Sequence, residues 1–238
     1  MSENVDRPDV DLLRHAVWHG LQGAHASLGM ANAGAANYAL DVSVFAALAP
    51  GADDLTSMAE LVGAEEVFGL LVDAQETPSH PGFEILRRVP CHQMICTAPV
   101  LIEDDECIAL GANHIAQMLA LVKLTDPGPF AARTIEMGSY FGIFDGESLL
   151  AMAGERMRPR GWIEVSAVCT HPDAQGRGYA ARLVSRVLRG IDAAGCGAFL
   201  HVVKSGPSEK TAVGVYERLG FRHHRGVVVQ IMRRRQPA

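Results

Sequence analysis

Glu164 stands in the middle of an otherwise apolar, strand-like run, WIEVSAVCT (162–170), and the chain that follows it, HPDAQGRGYAARL (171–183), carries Gly176, Gly178 and Ala181 at the spacing of a dinucleotide-phosphate loop. A carboxylate beside a dry sheet is either paired or functional, because an isolated buried charge is costly. As a functional group it takes a proton from a nucleophile. As a paired one it has a partner in Arg156 on the neighbouring strand-like segment. Alternation along the run puts Glu164, Ser166, Val168 and Thr170 on one face, and turns Ile163, Val165, Ala167 and Cys169 toward helices on the other. Glu155 and His201 are reserve proton acceptors, although His201 alternates with Phe199 and Val203 as a half-buried side chain would.

The glycine loop raises the question of which phosphate it holds. A dinucleotide fold needs its first glycine almost directly after the strand and an acidic residue about 20 positions further on. Here HPDA intervenes, and the next strand-like run ends at Lys204. A P-loop would require Gly-Lys-Ser/Thr, which is missing. What remains is shared physics: glycines let the backbone approach a ligand, and a helix starting near Tyr179 aims unpaired N–H groups at it. A pyrophosphate is the natural guest. Arg177 and Arg182 add charge at the rim, or are solvated.

Elements in the right order position these groups. Residues 8–24 and 54–63 have helical spacing; Val67–Val72, Phe83–Val89 and Met94–Thr97 read as strands. From residue 102 onward the pattern predicts a short strand at Ile108–Leu110 and an amphipathic helix through Ile115, Met118, Leu119 and Val122. A hairpin turns at Asp145-Gly146 between Tyr140–Phe144 and Leu149–Met157, and the strand WIEVSAVCT leads into the glycine loop. Then come a helix over Tyr179–Ala193, a strand at 198–204, a helix over Glu209–Leu219 closed by Gly220, and a last strand, Val227–Met232. This order predicts an α/β chain with a mixed sheet and at least one parallel pairing.

Composition bounds the function. The 238 residues are 48% hydrophobic and 20% charged, with a formal net charge of −6, which argues against a nucleic-acid binder. No apolar run reaches the roughly 18 residues of a membrane span, and the N-terminus does not resemble a signal peptide, so a cytoplasmic protein without a membrane partner is expected. Five cysteines at irregular spacing fit reduced thiols. His15 and His19, with His25, and the group Cys91, His92 and Cys96 lack the arrangement of a metal motif, so no metal is expected. The strand edges and last apolar strand offer a homodimer surface.

Gln175-Gly176-Arg177-Gly178-Tyr179-Ala180 resembles the Gln/Arg-x-x-Gly-x-Gly/Ala signature of the GNAT superfamily of acyl-CoA-dependent N-acyltransferases, and AVGVYERLGF (212–221) is similar to that family's C-terminal Ala-x-x-x-Tyr-Glu-x-x-Gly-Phe segment. The resemblance covers residues 102–238, a GNAT N-acetyltransferase domain; it leaves 1–101 as an α/β region that is expected to be a divergent GNAT-like half. It implies acetyl-CoA as cosubstrate, with its pyrophosphate on the backbone of Gln175 to Ala180 and its pantetheine arm along Val168, Cys169 and Thr170, where that strand and the next splay apart. It further implies that the Val168 N–H polarises the thioester carbonyl, that Tyr216 donates a proton to the departing thiolate, and that Glu164, eleven residues before Gln175, is the general base. On the residues alone, Tyr216 shares an inward helix face with Ala212 and Leu219 and would serve equally as a core tyrosine. Glu209 stands where many members carry an asparagine, so no role is carried over to it. The implied reaction is direct acetyl transfer to a primary amine of a small-molecule or amino-acid-like acceptor. The alternative is a non-catalytic acyl-CoA-binding regulatory module.

Overall fold

The computed structural model describes residues 8–236 other than 74, 75, 77, 104 and 205. A 3-10 turn (Val10–His15) runs into α1 (Ala16–Leu21), followed by β1 (Gly29–Ala31), β2 (Ala35–Tyr38), β3 (Phe45–Leu48), α2 (Met58–Leu61), β4 (Val67–Asp73) and β5 (Phe83–Cys96). After them come β6 (Ile108–Ala109), α3 (Ile115–Thr125), β7 (Tyr140–Asp145), β8 (Ser148–Glu155), β9 (Trp162–Thr170), α4 (Tyr179–Ala193), β10 (Gly197–Val203), α5 (Gly206–Arg218) and β11 (Arg222–Arg234).

The strands form one mixed sheet in the order β1-β2-β3-β4-β11-β5-β10-β9-β8-β7-β6. Two pairings are parallel, β3 with β4 and β9 with β10, each closed by a crossover helix, α2 or α4. The central pair is exchanged: β11 lies against β4, and β5 lies against β10. Leaving out the two-residue β6, the pattern of pairings therefore reads the same outward in both directions from β11–β5.

The second region follows its sequence pattern closely, and α4 spans the residues expected of it. Its apolar stripe, Leu183, Val184, Val187, Leu188 and Ile191, packs on Ile163 and Val165 of β9 and on Ala198, Leu200 and Val202 of β10. The first region departs from its pattern. The helix expected over 8–24 is 3-10 at Val10–His15 and α only at Ala16–Leu21, that over 54–63 shrinks to Met58–Leu61, the two strands expected within 83–97 merge into one of 14 residues, and β1 to β3 arise where no element is expected. Those three strands are only three or four residues each and rich in alanine and glycine, too short and too bland for a period to register.

Gly197 starts β10 beside the buried Trp162, and an added Cβ there would lie 2.6 Å from the indole. Trp162 is 1% exposed and has no space to retreat. Gly197→Ala is therefore expected to destabilise the protein by about 1–3 kcal/mol, a fall in Tm of roughly 2–12 °C by differential scanning calorimetry.

Candidate active site

The parallel contact between β9 and β10 is brief. It runs through Trp162–Gly197, Ile163–Ala198 and Glu164–Phe199, and the two strands are not paired beyond it. β9 continues for six residues and β10 for four, so the strands open into a fork in the middle of the sheet. On its other side β9 carries a bulge against β8. Met152 faces Cys169 and Gly154 faces Ser166, while Ala167 has φ +52°. Two residues, Ala167 and Val168, thus oppose one on β8.

The bulge corrects the expected alternation. Ile163 and Val165 do pack under α4, but past Ala167 the faces exchange, so Val168 joins the α4 side and Cys169 packs instead with Met118, Leu121 and Met152 beneath α3. A left-handed alanine in an apolar run leaves no trace in a period-two pattern. Neither β8 nor β10 supplies a register partner for Val168. Its main chain stands at the edge of the fork.

The glycine loop follows β9 through a short 3-10 turn, Pro172–Ala174. Gly176 and Gly178 have φ of +77° and +81°, and a Cβ built on either meets no atom within 4 Å. Gly178 is the N-cap of α4 in the left-handed conformation, with no side chain capping the helix. The first-turn N–H groups consequently face open space at the positive end of a 15-residue helix. The loop arginines are turned elsewhere: Arg177 Nη2 donates to the Asp173 carbonyl at 3.2 Å, and Arg182 is ion-paired with Glu106.

Tyr216 packs with Ala212, Leu219 and Phe221 against the α4 core, on the inward face expected of it. Burial pushes its phenol up to about 12, which keeps the proton on oxygen at neutral pH.

Glu164 is placed in mid-strand on the face away from α4, but its carboxylate is not available. It is wholly buried and takes four contacts: Arg156 Nη2 and His201 Nδ1, both at 2.8 Å, on Oε1, and Arg156 Nε at 2.8 Å and the Met157 N–H at 3.3 Å on Oε2. Burial alone would raise its pKa; the charge and hydrogen bonds of Arg156, together with His201, outweigh this and hold the carboxyl well below its usual range. Of the two uses open to this carboxylate, the geometry adopts the paired one. The reserve candidates are engaged as well. Glu155 accepts from the Ser139 N–H at 3.0 Å and pairs with Arg158 at 3.2 Å, and both ring nitrogens of His201 have partners.

A pH dependence follows from the depressed Glu164 carboxyl. The pair's contribution is complete above the ordinary value of 4.5 and drains away as pH falls from there toward the lower folded value. Wild-type Tm is expected to drop more steeply below about pH 4.5 than that of Arg156→Met/Glu164→Leu, which binds no proton at this site.

Sequence reasoning missed the wall on the Glu164 side. Tyr38 and Phe45 of the first region pack there, with the Phe45 ring 4.8 Å from the Arg156 guanidinium and the Tyr38 hydroxyl 2.9 Å from His25 Nδ1. The segment after α3, DPGPFAARTIEMG, is tied to the same region: the Arg133 N–H donates to the Asp41 carbonyl at 2.8 Å, and Thr134 Oγ1 donates to the Val42 carbonyl at 2.6 Å. Short strands without a clear pattern gave no signal for either contact. Among the described residues no group of three or more His, Cys, Asp and Glu side chains is placed to hold a metal ion, and no helix is long and apolar enough to cross a membrane.

A parallel strand pair that forks beside a bulge, with an uncapped glycine turn leading into the crossover helix, defines the acyl-coenzyme A-dependent N-acyltransferase fold. The comparisons agree. Residues 140–228 match the FR47-like protein family. A solved GNAT-family protein from Novosphingobium aromaticivorans DSM 12444 is 35% identical, with a TM-score of 0.85 over 94% of this chain and 99% of that one. The chain belongs to the GNAT family. A GCN5-related N-acetyltransferase from Kribbella flavida, 16% identical, shares the fold with a TM-score of 0.59 over 94% of this chain and 96% of that one. A GCN5-related N-acetyltransferase-like protein from Streptococcus suis 89/1591, 13% identical, does so at 0.57 over 97% and 94%. No curated protein matches the sequence.

Proposed function

We propose that the protein is an N-acetyltransferase that moves the acetyl group of acetyl-CoA directly to the amine of a small-molecule or amino-acid-like acceptor. The observation that carries this reading is the alignment of the open fork with the uncapped start of α4. Coenzyme A fits these residues, because Gly176 and Gly178 leave clear space where any Cβ would intrude on an approaching pyrophosphate. Backbone N–H groups from Gln175 to Ala180 would hold that pyrophosphate, and Val168, Cys169 and Thr170 would line the arm. When bound, the coenzyme supplies an activated acetyl thioester.

The chain's own contributions are electrostatic and protonic. The N–H of Val168, a residue without a register partner on either neighbouring strand, is the donor for the thioester oxygen. Tyr216 holds a proton for the leaving sulfur. Glu164 and His201 have protein partners on every polar side-chain atom and Glu155 is paired through Oε2, so the amine gives its proton to water rather than to a side chain. The rate at subsaturating acceptor should then rise with pH until the acceptor's own amine pKa. A plateau set by an enzyme group, the same for amines of different basicity, would contradict this. We further propose that residues 1–101 are a divergent copy of the 102–238 fold that now walls the acceptor side; the symmetric strand order and the second parallel crossover, β3–α2–β4, support this.

Free-thiol release from acetyl-CoA with a panel of amines tests the proposal. Tyr216→Phe is expected to cut kcat about a hundredfold with little change in acetyl-CoA affinity. Thermal stabilisation by acetyl-CoA without thiol release from any amine would instead favour a coenzyme-binding module.

A further inference from the structure

On the face of the sheet away from α4, five consecutive strands and the residue that follows a sixth, β8, each contribute one polar side chain to a continuous row. Arg156, the residue just after β8, forks onto Glu164 (β9) through two bonds of 2.8 Å. Glu164 Oε1 meets His201 Nδ1 (β10) at 2.8 Å, and His201 Nε2 meets Gln93 Nε2 (β5) at 3.0 Å. Gln93 Oε1 accepts from Arg225 Nε (β11) at 2.9 Å, and Arg225 Nη1 donates to Asp73 Oδ1 (β4) at 2.6 Å. The Leu13 carbonyl closes the row from above, accepting from Arg225 Nη2 at 2.9 Å and Gln93 Nε2 at 3.3 Å.

The chemistry of these groups makes the row directional. A guanidinium only donates, so Arg225 fixes which end of the Gln93 amide is oxygen. The Gln93 nitrogen therefore donates to His201 Nε2, and the imidazole is left with its single proton on Nδ1, pointed at Glu164. The Glu164–His201 bond sits at the mouth of the fork. It joins the last paired residue of β9 to a residue two places past the last paired position on β10. Where the backbone ladder ends, this side-chain bridge is what ties the diverging strands together.

Stability alone does not explain such a row, because a buried ion pair is often replaced by apolar residues at no cost. It does confer one geometry. We infer that Glu164 is a positioning residue, the pin of the fork, and that Gln93, contributed by the first region, sets the pin through His201, so that coenzyme affinity depends on a side chain two strands away from β9. The inference rests on the proposed coenzyme reading and deepens it.

The test is acetyl-CoA titration and steady-state kinetics of the full-length wild type, Gln93→Leu and Glu164→Gln, with ¹⁵N spectroscopy of the His201 ring. The expected result is an acetyl-CoA Kd and KM raised about tenfold in both variants, and kcat at saturation within about threefold of wild type with an unchanged pH profile. Wild-type His201 should carry its proton on Nδ1, and Gln93→Leu should shift it partly to Nε2. Unchanged Kd in both variants overturns the inference, and so does a kcat loss in Glu164→Gln of a hundredfold or more at unchanged Kd, the mark of a general base. Should Glu164→Gln fail to fold, Arg156→Met/Glu164→Leu removes the pin without stranding a charge and is held to the same Kd criterion. A wild type that does not bind acetyl-CoA defeats the coenzyme reading instead, while the His201 tautomer, read without ligand, still decides the row: Nε2 protonation in the wild type would contradict it.

Discussion

Gly178→Ala is expected to weaken acetyl-CoA binding by about ten- to a hundredfold, whereas Arg177→Ala changes it less than about threefold. The asymmetry follows from where the two residues place their atoms. Gly178 caps α4 at φ +81°, a conformation that costs an L-residue about 1–2 kcal/mol. An alanine there either keeps the strained cap, with a Cβ standing in the clear space above the helix, or relaxes it and turns the first N–H groups away from the ligand. Both outcomes weaken an anion held by the main chain. Arg177, by contrast, bends back to the Asp173 carbonyl and leaves the loop's interior to the backbone. Isothermal titration of the two variants decides the matter, and equal losses would mean that side-chain charge, not the backbone cradle, carries the pyrophosphate.

The second large effect concerns stability. Glu164→Ala leaves Arg156, a residue 8% exposed, without its counter-charge, and it strips His201 of its acceptor. Removing one member of a buried pair costs about 3–5 kcal/mol, which for a chain of this size is a Tm loss of roughly 6–20 °C. Arg156→Met/Glu164→Leu should recover most of that loss. Arg133 and Glu136 make a comparable bidentate contact at 2.7 and 2.8 Å, yet on the surface. Its removal is expected to cost less than about 1 kcal/mol. Calorimetry of the three proteins separates burial from geometry as the source of the effect; equal losses at the buried and the exposed pair would contradict it.

Legibility in the sequence tracked local patterning. Helix α4 and strands β7 to β10 could be placed from it because each has a strong period, a turn signal or a glycine stop. The glycine loop and the AVGVYERLGF segment marked the family for the same reason: backbone demands at Gly176, Gly178 and Gly220 tolerate few substitutes. Two kinds of information were out of reach. The exchange of β5 and β11 is a matter of long-range pairing, to which alternation along one strand is blind. The state of Glu164 likewise depends on His201, 37 residues away, and on Arg156 just past the end of the adjoining strand, so a mid-strand carboxylate reads the same whether free or saturated. The bulge at Ala167 turned a correct strand assignment into a wrong face for Val168 and Cys169.

Coenzyme-dependent acetyl transfer is tested most directly by incubating the wild-type protein with isotope-labelled acetyl-CoA and a library of amino acids, polyamines and peptides, with products read by mass. The predicted result is enzyme-dependent transfer of the labelled acetyl group to the amine of a defined acceptor, with thiol released in equal amount and the rate cut about a hundredfold by Tyr216→Phe. Labelled acetyl-CoA recovered intact with every acceptor, at protein concentrations where it demonstrably binds, would contradict it.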